Sequence, residues 1–142
     1  MFRRGSSTKG FTLVELVVVI VIVGILAAVA IPKFLDASAK AKASEFPTVL
    51  NAVYTGEMAY QTDRGTYAST LTNLKDSACV DVPGSSQWFN YQIPAATTTS
   101  FRATGKVRTA FGSTTTSDTA AIDNTNSKWA SPSLARYCPN WK

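Results

Sequence analysis

Residues 10–31 read GFTLVELVVVIVIVGILAAVAI, and from Phe11 onward this run contains one charged residue, Glu15. About 20 consecutive apolar residues are enough for a helix to cross the hydrocarbon core of a bilayer. An inserted helix would place the Glu15 carboxylate inside lipid, where an acidic side chain costs roughly 2.5–3.5 kcal/mol. A helix that keeps such a residue is expected to supply it with a cation.

The apolar run itself contains no cation that could pair with Glu15. Cleavage of the chain after Gly10 would create one, because the new α-amino group of Phe11 would lie about one helical turn from the carboxylate. The charge pattern is therefore consistent with a chain that is cut at this junction and keeps its apolar helix.

Basic residues precede the run and a proline follows it: Arg3, Arg4 and Lys9 come before the junction, and Pro32 comes directly after Ile31. Together with the motif in residues 10–15, this arrangement resembles the class III leader and amino-terminal helix of type IV pilins and their pseudopilin relatives. The resemblance covers about the first third of the chain.

The resemblance implies one processing site and several assembly residues. A prepilin peptidase in the membrane would cut after Gly10 and methylate the new amino terminus on Phe11. Glu15 would be required for assembly, where it neutralises the amino terminus of a neighbouring subunit. The segment between Gly24 and Pro32 would lose helical structure in the filament, although Gly24 could instead permit close helix packing in lipid. An assembly ATPase and a platform protein are implied as further partners.

Two other interpretations of the apolar run compete with this one. A secretory signal peptide would also combine basic residues with an apolar segment, and residues 28–30 have the small-x-small pattern of a cleavage site. The position of Glu15 inside the apolar segment and the Gly10–Phe11 junction before it count against that interpretation. An uncut single-pass anchor would leave Glu15 without a partner.

The chain is expected to contain a leader in residues 1–10, a transmembrane helix in 11–32, an amphipathic helix in 33–64 and a globular domain in 65–142. Beyond the membrane segment, apolar residues recur near the 3.6-residue period, while the charged residues, Glu45 and Glu57 among them, are expected largely on other faces. One helix from about residue 12 to about residue 62 would be roughly 75 Å long. Pro32 and Pro47 predict bends in it.

The remainder of the chain predicts an α+β fold, in which the long helix packs on an antiparallel sheet of three to four strands. Gly65 is expected to end the helix in a left-handed conformation, and residues 69–86 are expected to be loop. The strand candidates are residues 87–93, residues 101–110 in two possible pieces, residues 119–123 and residues 128–130. The alternation of apolar and polar residues along 101–108 is typical of a half-buried strand.

Charge gives weak evidence about partners. The net charge is +5, from 14 basic and 9 acidic residues, and three of the basic residues belong to the leader, so that the processed chain would carry +2. The second half remains locally basic, with Arg102, Lys106 and Arg108 close together. A solvated strand face is the favoured interpretation, and binding of a DNA phosphate backbone is the alternative.

The two cysteines, Cys79 and Cys138, show no metal-binding or redox spacing. Outside the cytoplasm an oxidising compartment would favour a disulfide, which would stabilise the fold by about 4 kcal/mol in the chain-entropy model. Such a bridge would also resemble the one that fastens the carboxy-terminal segment of many type IV pilins. Two buried free thiols are the alternative.

Catalysis finds little support in the composition. The chain has no histidine, no phosphate-binding glycine loop and no acidic cluster suited to calcium; Asp76 and Asp81 could share an ion only with backbone ligands. We therefore expect no enzymatic activity, no cofactor and no metal site. The hydroxyl-rich tracts at residues 97–100 and 113–117 are expected to be solvated turns, with O-glycosylation as the alternative.

The sequence thus predicts a major pilin that is stored in the inner membrane and polymerises with copies of itself, through its apolar helix, into an extracellular pilus filament for adhesion, motility or uptake. The alternatives are a type II secretion pseudopilin and a minor pilin that binds DNA. Nucleic acid is the less favoured partner.

Overall fold

The computed structural model describes residues 10–78 and 80–141. The expected leader residues Arg3, Arg4 and Lys9, and Cys79 of the expected disulfide, lie outside the described residues. The chain divides into two compact units, one that ends at Leu35 and one that begins at Asp36. The four segments expected from the sequence, with their boundaries, stay predictions.

Helical structure dominates the first half of the chain. Helix α1 spans Leu13–Ala43 and helix α2 spans Glu45–Arg64, and together they form a helix of 52 residues that is long and apolar enough to cross a membrane. The long amino-terminal helix predicted from the sequence is therefore confirmed. The left-handed end is confirmed as well, since Gly65 has a φ of 70° and its N–H donates to the carbonyl of Gln61 at 2.8 Å.

Ser44 forms a turn between the two helices. Pro47 explains why the helix is interrupted there. A proline has no N–H to donate to the carbonyl four residues earlier, which here belongs to Ala43, the last residue of α1. Where the sequence predicts a bend at Pro47, the structure therefore has an interruption of the helix by one residue, Ser44. Pro32 lies inside α1, which continues past it, and a kink at Pro32 stays a prediction.

Four antiparallel strands form one sheet in the order β1-β2-β3-β4. Their bounds are Phe89–Ala96 for β1, Phe101–Val107 for β2, Thr119–Asp123 for β3 and Lys128–Ala130 for β4. The predicted α+β class and strand number are confirmed. Along β2, alternate residues are buried, as the alternation in the sequence predicted.

Two strands differ from the prediction in their bounds, and β1 begins at Phe89, two residues later than predicted. β1 continues to Ala96 because the strand pairing shifts register between Gln92 and Ala95, and this irregularity accommodates Pro94, which cannot donate to a neighbouring strand. The segment predicted as two pieces over residues 101–110 is one strand that ends at Val107.

The segment expected to be loop over residues 69–86 contains a helix, α3, which spans Leu71–Ala78. Thr70 starts it, since its Oγ1 accepts from the Asn73 N–H at 3.1 Å. Leu74 is fully buried, which explains why this short segment is ordered against the core. A further short helix, α4, spans Pro132–Ala135 near the end of the chain.

The core lies between α2 and the inner face of the sheet, where α2 packs on β2 and β3. Residues on one face of α2 and alternate residues of the strands supply it, because the helical and strand periods each turn one face inward. Its largest fully buried side chains include Phe46, Leu50, Leu74, Phe89, Ile122 and Leu134.

Candidate functional site

The first unit presents an apolar surface. All large apolar side chains from Phe11 to Leu35 are exposed, with exposed fractions between 43% for Val17 and 90% for Phe11. Soluble monomers rarely expose a continuous apolar area of this extent, so the surface is built to contact lipid or other apolar helices.

Glu15 accepts hydrogen bonds from its own helix start. The Thr12 N–H and the Thr12 hydroxyl both donate to Glu15 Oε2 at 2.8 Å, and the Glu15 N–H is 3.3 Å from Thr12 Oγ1. These reciprocal bonds form a capping box, in which a threonine and a glutamate three residues apart satisfy each other's backbone donors.

Thr12 is therefore a site residue that the sequence analysis missed. The Thr-x-x-Glu spacing at a helix start was the signal that could have identified it. The Glu15 carboxylate thus has hydrogen-bond donors within its own chain. Its pairing with the α-amino group of Phe11 stays a prediction.

Gly10 and Phe11 lie before α1, and both are exposed. Among the described residues, a side chain placed at Gly10 would meet no atom within 4 Å, and the same holds at Gly24 inside α1. Residues 24–32 are helical here. The roles expected for Gly10, Phe11, Gly24 and Pro32 stay proposals, since they concern processing and the filament.

Cys138 lies in the second unit, partly buried beside the turn between the two helices. Its Sγ is 3.8 Å from the carbonyl oxygen of Ala43, which is the carbonyl that Pro47 leaves without a helical donor. Burial raises the pKa of the Cys138 thiol, so that it keeps its proton. A disulfide with Cys79 would remove that proton, and the pairing stays a prediction because Cys79 lies outside the described residues.

Glu57 corrects an expectation about the helix faces. It was expected on a polar face, but it is fully buried, because it follows Val53 by four residues on the inner face of α2. Its Oε2 accepts from the Ala68 N–H at 2.8 Å, and its Oε1 has no hydrogen-bond partner among the described residues. Burial raises the pKa of this carboxyl to about 7. Glu45, also expected on a polar face, is half-buried and accepts from the Tyr91 hydroxyl at 2.8 Å.

The basic residues of β2 point away from the core. Arg102 and Lys106 are exposed, and Arg108, just after the strand, donates from Nη1 to the carbonyl of Ser86 at 3.0 Å. Asp123 is the cross-strand partner of Arg102. A negative charge beside Arg102 and a bond that occupies Arg108 both weaken the case for binding a DNA backbone here.

Within the described residues, no three acidic, cysteine or histidine side chains come together to hold a metal ion. Asp81, one of two acids considered for calcium, instead lies 2.9 Å from the Lys75 ammonium.

The apolar segment is similar to a known sequence motif, and part of the chain is similar to known proteins. The model of the prokaryotic N-terminal methylation motif matches residues 5–31. The type IV major pilin protein PilA of Myxococcus xanthus is 35% identical over 94 residues, which are 66% of this chain and 40% of that protein. A fimbrial protein of Neisseria meningitidis is 40% identical over 76 residues, which are 54% of this chain and 45% of that protein.

A third relative, the type IV wide pilus major component of Thermus thermophilus, is 41% identical over 68 residues, which are 48% of this chain and 52% of that protein. The chain thus spans about half of the length of the curated relatives it matches, or less. The methylation motif and these partial matches together make the chain similar to type IV major pilins and fimbrial proteins.

Proposed function

We propose that the chain is the major structural subunit of a type IV pilus and that its activity is assembly, with no enzymatic reaction. The observation that carries the proposal is the continuous apolar surface of residues 11–35, which is exposed on a single chain. Relatives named as major pilins or fimbrial proteins support the same function. In the membrane this surface would contact lipid, and in a filament it would contact the same surface of other copies.

Processing would precede assembly. We propose that a prepilin peptidase cuts after Gly10 and methylates the amino terminus of Phe11. Both residues are exposed ahead of α1, and a Cβ at Gly10 would meet no atom of the other described residues within 4 Å. The junction therefore lies where an enzyme could reach it without unfolding the helix.

Glu15 would then exchange partners. In the single chain its carboxylate accepts from the Thr12 N–H and hydroxyl, which lowers the cost of keeping it in lipid. In the filament the same carboxylate would accept a charged bond from the Phe11 amine of a neighbouring subunit, which is the stronger interaction. An identical contact repeated from one subunit to the next is heterologous and builds an open helical fibre.

The proposal assigns two locations to the chain. It would be held in the inner membrane by α1 before assembly and would form an extracellular filament afterwards. A prepilin peptidase, an assembly ATPase and a platform protein would act on it in the membrane, and other copies of the chain would be its partners in the filament.

Mass spectrometry of filaments sheared from the native cells tests this function. We expect an abundant chain whose amino terminus is N-methylated Phe11. A processed chain confined to the cell envelope would favour a pseudopilin or a minor subunit. An amino terminus at Ile31 would show that a signal peptidase removes the apolar run, and the proposal would then be wrong.

Two substitutions separate processing from assembly. Gly10→Val should leave the described fold unchanged, because a Cβ there meets no atom of the other described residues within 4 Å, and should block cleavage, so that only the uncut mass is found. Glu15→Gln should leave the chain processed but abolish sheared filaments. Asp36→Asn, an exposed acid-to-amide change outside the apolar run, is the matched control and should leave filament yield unchanged.

A further inference from the structure

The outer face of the sheet carries a pocket of about 420 Å³ that no part of the proposed assembly uses. Six of its lining residues determine its shape and the groups that a ligand would meet. They come from three strands and the β3–β4 turn: Arg102, Thr104, Ala121, Asp123, Ser127 and Trp129.

The strand register explains why a hollow forms here. Ala121 is opposite Thr104 on β2 and opposite Trp129 on β4, so a methyl group lies between a medium and a very large side chain. Side chains on one face of neighbouring strands stand side by side, and the small residue therefore leaves a depression whose wall is the indole of Trp129.

Trp129 is unusual among the aromatic residues of the chain. Half of its surface is exposed, whereas Trp88 is mostly buried against the core and packs edge-on against Phe111, and Trp141 is buried and packs edge-on against Phe46. Among the described residues, the Trp129 ring makes no aromatic or cation–π pair. An exposed indole offers a flat apolar face together with a polar N–H, which suits a ligand that is apolar on one face and polar at its edge.

The pocket is lined by one positively and one negatively charged side chain. Arg102 and Asp123 are opposite each other on β2 and β3, so their charges balance. Asp123 Oδ1 accepts from Thr125 and Ser127, and these bonds, with that of the Thr125 hydroxyl first, lower the pKa of the carboxyl and keep it charged. Asp123 Oδ2 has no hydrogen-bond partner among the described residues, and it remains free to accept.

We propose that this pocket binds a neutral oligosaccharide, with one pyranose ring stacked on Trp129 and its hydroxyls bonded to Arg102, Asp123, Thr104 and Ser127. A pyranose presents C–H groups on its face and hydroxyl donors and acceptors at its edge, which matches an apolar platform surrounded by a guanidinium, a carboxylate and two hydroxyls. An anionic ligand fits less well, because the Asp123 carboxylate offsets the charge of Arg102.

The proposal does not depend on the chain being a pilin, and it can be tested on the full chain in phosphocholine detergent micelles, since detergents with sugar headgroups would compete. The probes are maltotriose, cellotriose and triacetylchitotriose, with sialyllactose and an oligothymidylate as anionic comparators. The measurement is saturation-transfer NMR of the probe, followed by titration to obtain the dissociation constant.

We expect at least one neutral trisaccharide to receive saturation at its ring protons. Trp129→Ala should weaken its binding at least about tenfold, whereas Trp129→Tyr, which keeps a flat ring, should weaken it by less. Arg102→Ala should also weaken binding. Lys106→Ala, on the same face and strand but outside the pocket lining, is the matched control and should change nothing. Far-ultraviolet circular dichroism verifies that each variant is folded.

Three outcomes would overturn the proposal. One is that no neutral trisaccharide receives saturation. Another is that the trisaccharide receives the same saturation from Trp129→Ala as from the wild type, or that its binding is unchanged in both Trp129→Tyr and Arg102→Ala. The third is that oligothymidylate binds instead and Lys106→Ala abolishes its binding, which would make the face a nucleic-acid surface.

Discussion

Glu57 shares the buried face of α2 with Leu50 and Val53, and its environment favours the protonated carboxyl. The Ala68 N–H satisfies one oxygen, and the other has no hydrogen-bond partner among the described residues. Burial raises the pKa from 4.5 to about 7. The folded chain therefore holds a proton that the unfolded chain releases at lower pH.

We predict that this carboxyl makes the free energy of unfolding fall as pH rises. Its contribution is fully present below about pH 4.5, is lost between about pH 4.5 and pH 7, and is constant above that range. The total loss is about 3 kcal/mol, from the size of the pKa change. Urea unfolding of the full chain in detergent micelles, followed by tryptophan fluorescence across this pH range, measures it.

Glu57→Gln should remove most of this dependence and raise stability at about pH 8, since the amide keeps an acceptor for Ala68 and carries no charge to desolvate. Asp63→Asn, at an exposed acid near the end of the same helix, should keep the wild-type dependence. A wild-type unfolding midpoint that does not change across the range would show that Glu57 is hydrated in the folded chain.

At the scale of elements, the long helix and the strand number were predictable because each rests on many residues with one period. The apolar run, the alternation in β2 and the glycine after Arg64 all agree with the local conformation they adopt. The capping box was also predictable from the Thr-x-x-Glu spacing of Thr12 and Glu15 at the helix start.

Other elements depend on contacts that local sequence does not show. Helix α3 has eight residues, too few for a period to be evident, and its order comes from the burial of Leu74. β1 continues beyond Pro94 because of a register shift with β2, and the pocket needs Trp129, Ala121 and Thr104 to align across three strands.

The packing of β2 on β1 gives a prediction at this scale. Gly105 is buried in β2, and a Cβ there would lie 3.0 Å from Cε1 and 3.2 Å from Cδ1 of Tyr91. The ring has little freedom to move, because its hydroxyl donates to Glu45 at 2.8 Å and it stacks on Phe89. Gly105→Ala should therefore destabilise the second unit by about 1–3 kcal/mol through overpacking, measured as a lower urea midpoint.

Gly24→Ala is the matched control for that substitution. It makes the same chemical change at a position with nothing within 4 Å and in the other unit of the chain. It should leave the urea midpoint of the second unit unchanged. Equal midpoints for Gly105→Ala and the wild type would show that the sheet accommodates a methyl group against Tyr91 without cost.

At the scale of the whole molecule, the redox state of the two cysteines decides whether a covalent link contributes to stability. We predict a disulfide between Cys79 and Cys138 in chains isolated from the native cells, so that alkylation without reduction labels neither residue. Cys138→Ser should then lower the free energy of unfolding by up to about 4 kcal/mol. Labelling of Cys138 without reduction would instead show that its thiol is free, and the predicted disulfide would then be wrong.

The order of the strands in the sheet equals their order in the chain, and this has a kinetic consequence. Each strand pairs with the strand synthesised just before it, so no hairpin has to wait for a distant segment, and the entropy lost on closing each loop is small. A chain that emerges progressively from a ribosome or across a membrane can therefore complete its sheet hairpin by hairpin, and the finished sheet has the first strand, β1, and the last strand, β4, at its two edges.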